Sequence, residues 1–222
     1  MARVIMIPGL AVRRYLEPSV EALCKDGHQV ELLQPLGWRS TGTDLRRYAR
    51  RFARQSRDPV DLLVGCSIGT QAAVLAAGEM DVRQLLLISP TLDPARRSLR
   101  TALAAWLGGE GHRHSPRLGV QSQDWLRAGL FGIERGLRSA IDVRLEDELP
   151  NVSVPFTIVH GDTDRISPLP FAADLAVGCG GRLMIMPDAP HSWPVGDGDR
   201  YRSLVDRLIS SHRDDAPPIA PG

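Results

Sequence analysis

The amino-acid sequence predicts an α/β domain: a mostly parallel sheet of about six strands with helices on both faces. Three observations carry that expectation. Short apolar runs alternate with amphipathic helical stretches along the chain. The runs are continuously apolar, which suits strands covered on both sides rather than strands with one wet face. The 222 residues, 43% of them apolar, suffice for one domain with a sizeable core.

Taken in order, the first run is Val4–Ile7. The helical stretch after it has Pro18 near its start and Gly27 just past its end, the usual asymmetry of helix boundaries. Val30–Leu33 is the second run. Between Asp44 and Arg54, the residues Leu45, Tyr48, Ala49, Phe52 and Ala53 fall at helical spacing, with Thr43 or Thr41 as the N-cap. Arg46, Arg47, Arg50, Arg51 and Arg54 then form the solvent face of that helix. Val60–Val64 and Gln84–Ile88 are the third and fourth runs, with a helix-like Thr70–Ala77 between them. Phe156–His160 and Leu183–Met186 complete the series. Tyr201, Leu204, Val205, Leu208 and Ile209 mark a last amphipathic helix.

One stretch breaks the alternation. Residues 91–150 hold no strand pattern, only helical segments near Ala95–Leu107 and between Gln123 and Glu148, separated by Gly108, Gly109 and Gly111. Such a length far exceeds the few residues that usually connect two elements. The expected organisation is therefore a core of residues 1–90 and 151–213, a helical lid insertion at 91–150, and a disordered proline-rich tail at 214–222.

Composition excludes several functions. The 27 Lys and Arg against 26 Asp and Glu leave a net charge of +1, so no global basic field advertises nucleic acid. No apolar run reaches the roughly 18–20 residues of a membrane helix. Met1–Gly9 lacks the small-residue cleavage site of a signal peptide. The three cysteines are odd in number and lack metal-ligand spacing, which reads as a reduced, cytoplasmic protein with apolar thiols. His112-Arg113-His114 offers two imidazoles without a third ligand in register and reads as a solvated loop. Neither a metal nor an organic cofactor is expected.

The chemistry centres on Gly65-Cys66-Ser67-Ile68-Gly69. This G-x-S-x-G pattern is short enough to arise by chance, but here it follows a strand and opens a helix, the setting that gives it meaning. A sharp turn there presents serine above the sheet in a strained conformation, at a cost of about 1–3 kcal/mol that the surroundings must enforce. The competing reading is a glycine-rich turn without a nucleophile.

With those residues on the page, the sequence resembles the α/β-hydrolase superfamily over almost its whole length. That resemblance implies the order Ser…Asp/Glu…His. Val159-His160-Gly161-Asp162-Thr163-Asp164-Arg165-Ile166-Ser167-Pro168 is similar to the family's G-x-x-D…P segment, which implies Asp164 as the acid. Asp188-Ala189-Pro190-His191-Ser192-Trp193 follows the last strand, where the family places its histidine, which implies His191. Asp162 competes with Asp164, and Asp93 competes more weakly, because aspartates in such turns often only cap backbone. The resemblance further implies an oxyanion hole from the backbone N–H groups of Ile68 and Leu10. Pro8 stands where the family commonly has histidine, so no side-chain support comes from that position. The first two strands of the full family fold are missing, which implies a trimmed member with a small lid.

The chemistry implied is cleavage of an ester or thioester through an acyl-enzyme, acting on a small-molecule acyl substrate that is either free or carrier-bound. Two alternatives stay open: a non-hydrolytic cyclase or lyase of the same fold, and a ligand-binding member with a vestigial triad. Trp106, Trp125 and Phe131 are candidates to line an acyl pocket. Arg96, Arg97, Arg100, Arg113 and Arg117 against Glu110 alone make the insertion locally basic. They are either ordinary surface cations or a dock for an anionic donor.

Overall fold

A computed structural model describes residues 1–108, 118–196 and 198–214. Its centre is a six-stranded sheet in the order β2-β1-β3-β4-β5-β6. The strands are β1 (Arg3–Ile7), β2 (Gln29–Leu32), β3 (Leu62–Cys66), β4 (Leu85–Ile88), β5 (Phe156–Gly161) and β6 (Arg182–Met186). All five pairings are parallel, so every strand ends on the same edge. The expected six-stranded α/β architecture is what the chain adopts.

The helices are α1 (Glu17–Lys25), α2 (Leu45–Gln55), α3 (Gly69–Ala77), α4 (Leu99–Gly108), α5 (Leu118–Ile141), α6 (Leu145–Glu148), α7 (Leu169–Gly178), α8 (Trp193–Gly196) and α9 (Gly198–Asp214). Side chains along the strands alternate between two cores. Ile5, Ile7, Leu63, Leu85, Leu87 and Ile158 face one, with residues of α2, α3 and α7. Val4, Met6, Leu62, Val64, Leu86 and Ile88 face the other, with Leu23 of α1 and Tyr201, Leu204, Val205 and Leu208 of α9. Each fully buried aliphatic or aromatic side chain contributes roughly 1.5–3 kcal/mol. This two-sided burial is the reason the runs are continuously apolar.

Several boundaries differ from the sequence reading, three of them by a cause visible in the contacts. The third strand lies two residues later than Val60–Val64: Val60 forms only an isolated bridge to Val82, while Gly65 pairs with Ile7 and Cys66 with Ile88. The N-cap of α2 is Asp44, neither Thr43 nor Thr41. Its side chain accepts from the Arg47 N–H at 2.8 Å, whereas the Thr41 hydroxyl donates to the Pro35 carbonyl at 2.6 Å. Asp214 ends α9 rather than opening the tail, and the rest of that tail lies outside the described residues.

The insertion holds helices and, among its described residues, no strand. α5 is broken at Gly129, whose φ of 65° and ψ of 165° are not helical. Leu137, Ala140, Val143, Leu145 and Leu149 join the same buried cluster as α2 and α3, so this end of the insertion is part of a core. The buried Gln71 of α3 ties it there, its Nε2 donating to the carbonyls of Ala140 at 2.8 Å and Val143 at 2.5 Å. The predicted loop glycines Gly109 and Gly111, and His112, Arg113, His114 and Arg117, lie outside the described residues. Among the described residues, no helix is long and apolar enough to cross a membrane.

Candidate active site

In an open parallel sheet, sites form beyond the carboxyl ends of the strands, where the order reverses. Here the order turns between β1 and β3. The loops after β1, β3, β5 and β6 carry Leu10, Ser67, Asp164 and His191 respectively.

Ser67 follows β3 directly and has φ +54°, a left-handed conformation that non-glycine residues seldom adopt. Its backbone N–H donates to the Ile88 carbonyl at 2.9 Å. Its own carbonyl accepts from the Thr70 N–H at 3.0 Å and the Thr70 hydroxyl at 2.6 Å. The flanking glycines have a steric reason. A Cβ on Gly65 would lie 2.5 Å from the Gly69 carbonyl oxygen, and one on Gly69 would strike the carbonyls of Ile7 and Pro8. Strand, helix and β1 loop therefore meet closely enough to hold the serine's strained turn.

His191 bridges the other two residues. Its Nδ1 lies 2.7 Å from Asp164 Oδ2, and its Nε2 lies 3.0 Å from Ser67 Oγ. A carboxylate only accepts, so Nδ1 carries the proton and Nε2 offers a lone pair that accepts from the serine hydroxyl. The second Asp164 oxygen accepts from the N–H groups of Ile166 at 2.8 Å and Ser167 at 2.9 Å. The Ser167 hydroxyl in turn donates to the Pro90 carbonyl at 2.5 Å, pinning this loop to the end of β4. Burial alone would raise the Asp164 carboxyl. The facing His191, their hydrogen bond, the Ser167 N–H and His160 outweigh it and hold the group below its ordinary value.

The competing carboxylates have other tasks. Asp162 accepts from the Ala189 N–H at 3.3 Å, bracing the loop that carries His191. Asp93 accepts from the Ala95 N–H at 3.0 Å and caps a short 3₁₀ turn. Neither reaches the imidazole. Cys66 is buried, and burial pushes its thiol up to about 12, only partly offset by a hydrogen bond with Tyr15; it packs rather than reacts.

The β1 loop runs beside the serine: a Cβ on Gly9 would lie 3.4 Å from Ser67 Cβ. The Gly9 N–H donates to the Tyr15 hydroxyl at 3.3 Å, and the Ala11 N–H donates to the Leu36 carbonyl at 2.9 Å. Among the described residues, neither the Leu10 nor the Ile68 N–H has an acceptor within the protein. Both N–H groups are thus without a protein acceptor, one directly after Ser67 and one in the adjoining β1 loop.

Other expectations fare differently. Arg46, Arg47, Arg50, Arg51 and Arg54 are all exposed, as the helical wheel requires. Phe131 is 79% exposed. Arg97 donates to Glu146 at 2.8 Å and to the Leu92 carbonyl at 3.0 Å, so it is engaged inside the protein, whereas Arg96 and Arg100 are exposed. Two residues to which the sequence assigns no role stand next to the site residues. His160 is fully buried 3.5 Å from Asp164 Oδ2. Asp124 is buried in α5 against the β1 loop. The partners of His160 lie within seven residues of it, whereas those of Asp124 are brought to it by the fold and no local pattern marks them.

A parallel α/β sheet with a serine turn, a histidine and an aspartate hydrogen-bonded across its strand ends defines the α/β-hydrolase class. A model described as the alpha/beta hydrolase family matches residues 4–204, and the chain belongs to that family. A non-heme haloperoxidase from Rhodococcus erythropolis is 28% identical over 95 residues. That match covers 40% of this chain and 35% of the haloperoxidase, about a third of its length. Among solved structures, a hydrolase from Oleispira antarctica superposes with a TM-score of 0.75 at 13% identity, covering 95% of this chain and 92% of that one. An esterase from Exiguobacterium antarcticum gives 0.69 at 17% identity, with 95% and 92% covered. A monoacylglycerol lipase from Paleococcus ferrophilus gives 0.67 at 18%, with 94% of each chain covered. At such identities the likeness is one of fold.

Proposed function

We propose that the chain is a serine hydrolase that cleaves an ester or thioester of a small-molecule acyl substrate, free or carrier-bound, through an acyl-enzyme. The observation that carries this reading is the unbroken relay from Ser67 Oγ through His191 to Asp164, at 3.0 Å and 2.7 Å. A serine hydroxyl is a weak nucleophile until an adjacent base removes its proton.

In this mechanism His191 Nε2 takes the Ser67 proton as Oγ bonds to the acyl carbon. The carbonyl π electrons move to oxygen, where the Leu10 and Ile68 N–H groups stabilise the oxyanion. Collapse expels the alcohol or thiol, which takes the proton from His191 and leaves acyl-Ser67. Water then repeats the sequence, releasing the acid and restoring the serine. Asp164 keeps the imidazole in the needed tautomer and stabilises the imidazolium formed in each half.

The test pairs a fluorophosphonate probe with turnover on a panel of esters and thioesters. Wild type labels and turns over, and Ser67→Ala does neither. Labelling without turnover on any member would point to the non-hydrolytic alternative. Labelling that survives in Ser67→Ala would remove this serine from the mechanism.

A further inference from the structure

Asp124 lies in the insertion, on α5, and its side chain is almost completely buried. One of its oxygens, Oδ2, accepts from two successive backbone N–H groups, Arg13 at 2.7 Å and Arg14 at 3.0 Å. Its other oxygen stands 3.6 Å from Arg14 Nε, and the neighbouring Gln123 accepts from Arg14 Nη1. Arg13 and Arg14 open the 3₁₀ turn Arg14–Leu16, whose own N-cap residue supplies no side-chain bond. The lid therefore provides, from 110 positions away, the cap that the β1 loop lacks.

That loop carries the Leu10 N–H three residues earlier. Between them Ala11 is held at φ +58°, a conformation that persists only where the surroundings impose it. Gly9 and Ala11 are tied within the core half, to Tyr15 and Leu36. The far end of the loop, at Arg13 and Arg14, is tied to α5. A second contact falls on the same loop: a Cβ on Gly136 of α5 would lie 2.6 Å from the Leu10 side chain, so the helix and Leu10 pack closely there. A buried carboxylate costs free energy unless its contacts compensate. This one accepts from two N–H groups of the β1 loop, and Arg14 of that same loop places its charge 3.6 Å away.

We infer that Asp124 is a positioning residue: it locks the β1 loop so that the Leu10 N–H points at the reacting carbonyl, coupling the seating of the lid helix to assembly of the oxyanion hole. This rests on the reading of Leu10 as an oxyanion donor. Asp124 touches no reacting atom and acts through the backbone of residues 10–14.

The test compares wild type, Asp124→Ala and Asp124→Asn by steady-state kinetics per titrated active site, amide hydrogen exchange over residues 9–14, and thermal unfolding. Losing one oxyanion donor outright lowers kcat by roughly 10²–10³-fold. A loosened donor costs less, so Asp124→Ala lowers kcat about 10- to 100-fold on that scale and leaves KM within about twofold, the signature of an interaction made in the transition state. Exchange at residues 10–14 accelerates in the same variant. Asparagine caps a helix about as well as aspartate, so Asp124→Asn restores both readouts. A purely structural role would lower the Tm while leaving kcat per active site intact, and that result would overturn the proposal. Unchanged exchange at residues 10–14 in Asp124→Ala would overturn it too, as would equal losses in the two variants. If wild type turns over no ester, the functional reading fails on its own, and the exchange comparison still decides whether Asp124 locks the loop.

Discussion

Two buried aspartates hold two loops of this site by the same device, to different ends. Asp164 accepts from the consecutive N–H groups of Ile166 and Ser167 with one oxygen and from His191 with the other. Asp124 accepts from the consecutive N–H groups of Arg13 and Arg14 with one oxygen, and its other oxygen has no hydrogen-bond partner. The first gives its other oxygen to the imidazole, carried by the neighbouring loop of the same core. The second leaves that oxygen near Arg14 Nε and ties an inserted helix to the core. The difference teaches that a carboxylate's role is read from its second oxygen.

The sharpest way to break that comparison is one substitution at both positions. Asparagine at 164 keeps the carbonyl for Ile166 and Ser167 but presents an amide N–H to His191, which supports the wrong tautomer. Asp164→Asn is expected to lower kcat by roughly 10⁴ with the fold intact by circular dichroism. Asp162→Asn and Asp93→Asn are expected to cost far less, because both carboxylates bond only backbone. Asp124→Asn is the mild counterpart. A loss from Asp93→Asn deeper than that from Asp164→Asn would move the acid to the loop after β4.

A smaller effect separates the surroundings of the two carboxylates. His160 Nε2 bonds the Ser167 carbonyl at 3.0 Å, so that nitrogen carries a proton, and Nδ1 is buried without a partner. Desolvation lowers the His160 pKa from 6.5, against the pull of Asp164 and the Ser167 carbonyl and with the push of His191. The sign follows from proton uptake. Below about pH 6.5 the unfolded chain binds a proton that folded His160 resists, so stability falls as pH drops through that value. Asp164 acts lower on the scale: its contribution is present above its ordinary value of 3.8 and is lost on further acidification. Between about pH 7.5 and 5.5, wild type is expected to lose more Tm than His160→Gln. Equal slopes for the two would remove His160 from the acid response.

What was legible in the sequence followed from how local its cause is. The six strands were visible because two-sided burial makes each run apolar, and the serine turn because its glycines and strand–turn–helix context are contiguous. Asp164 and His191 came from segments similar to a known family, and neither could be paired by spacing alone, being 27 positions apart. The third apolar run ends at Val64, whereas the strand continues through Gly65, whose missing Cβ lets β3 pass close against Gly69. Thr41 and Thr43 resemble N-caps as closely as Asp44 does in sequence, and only the fold shows the Thr41 hydroxyl engaged with Pro35 and the Asp44 carboxylate on the Arg47 N–H. Asp124 had no local sign: it reads as one more polar residue on a helix until the fold brings Arg13 beneath it. Phe131 misled in the opposite direction, since an aromatic in an amphipathic segment reads as buried and is here on the surface.

The central claim is that Ser67 forms a covalent acyl-enzyme in concert with His191. Rapid quenching during turnover of an activated ester, followed by mass spectrometry of the digested protein, tests it most directly. The account predicts an acyl mass on the peptide containing Ser67, formed in a burst that precedes steady release of the acid and absent from Ser67→Ala and His191→Ala. Turnover with no adduct on any residue, or an adduct on another side chain that persists in Ser67→Ala, would contradict it.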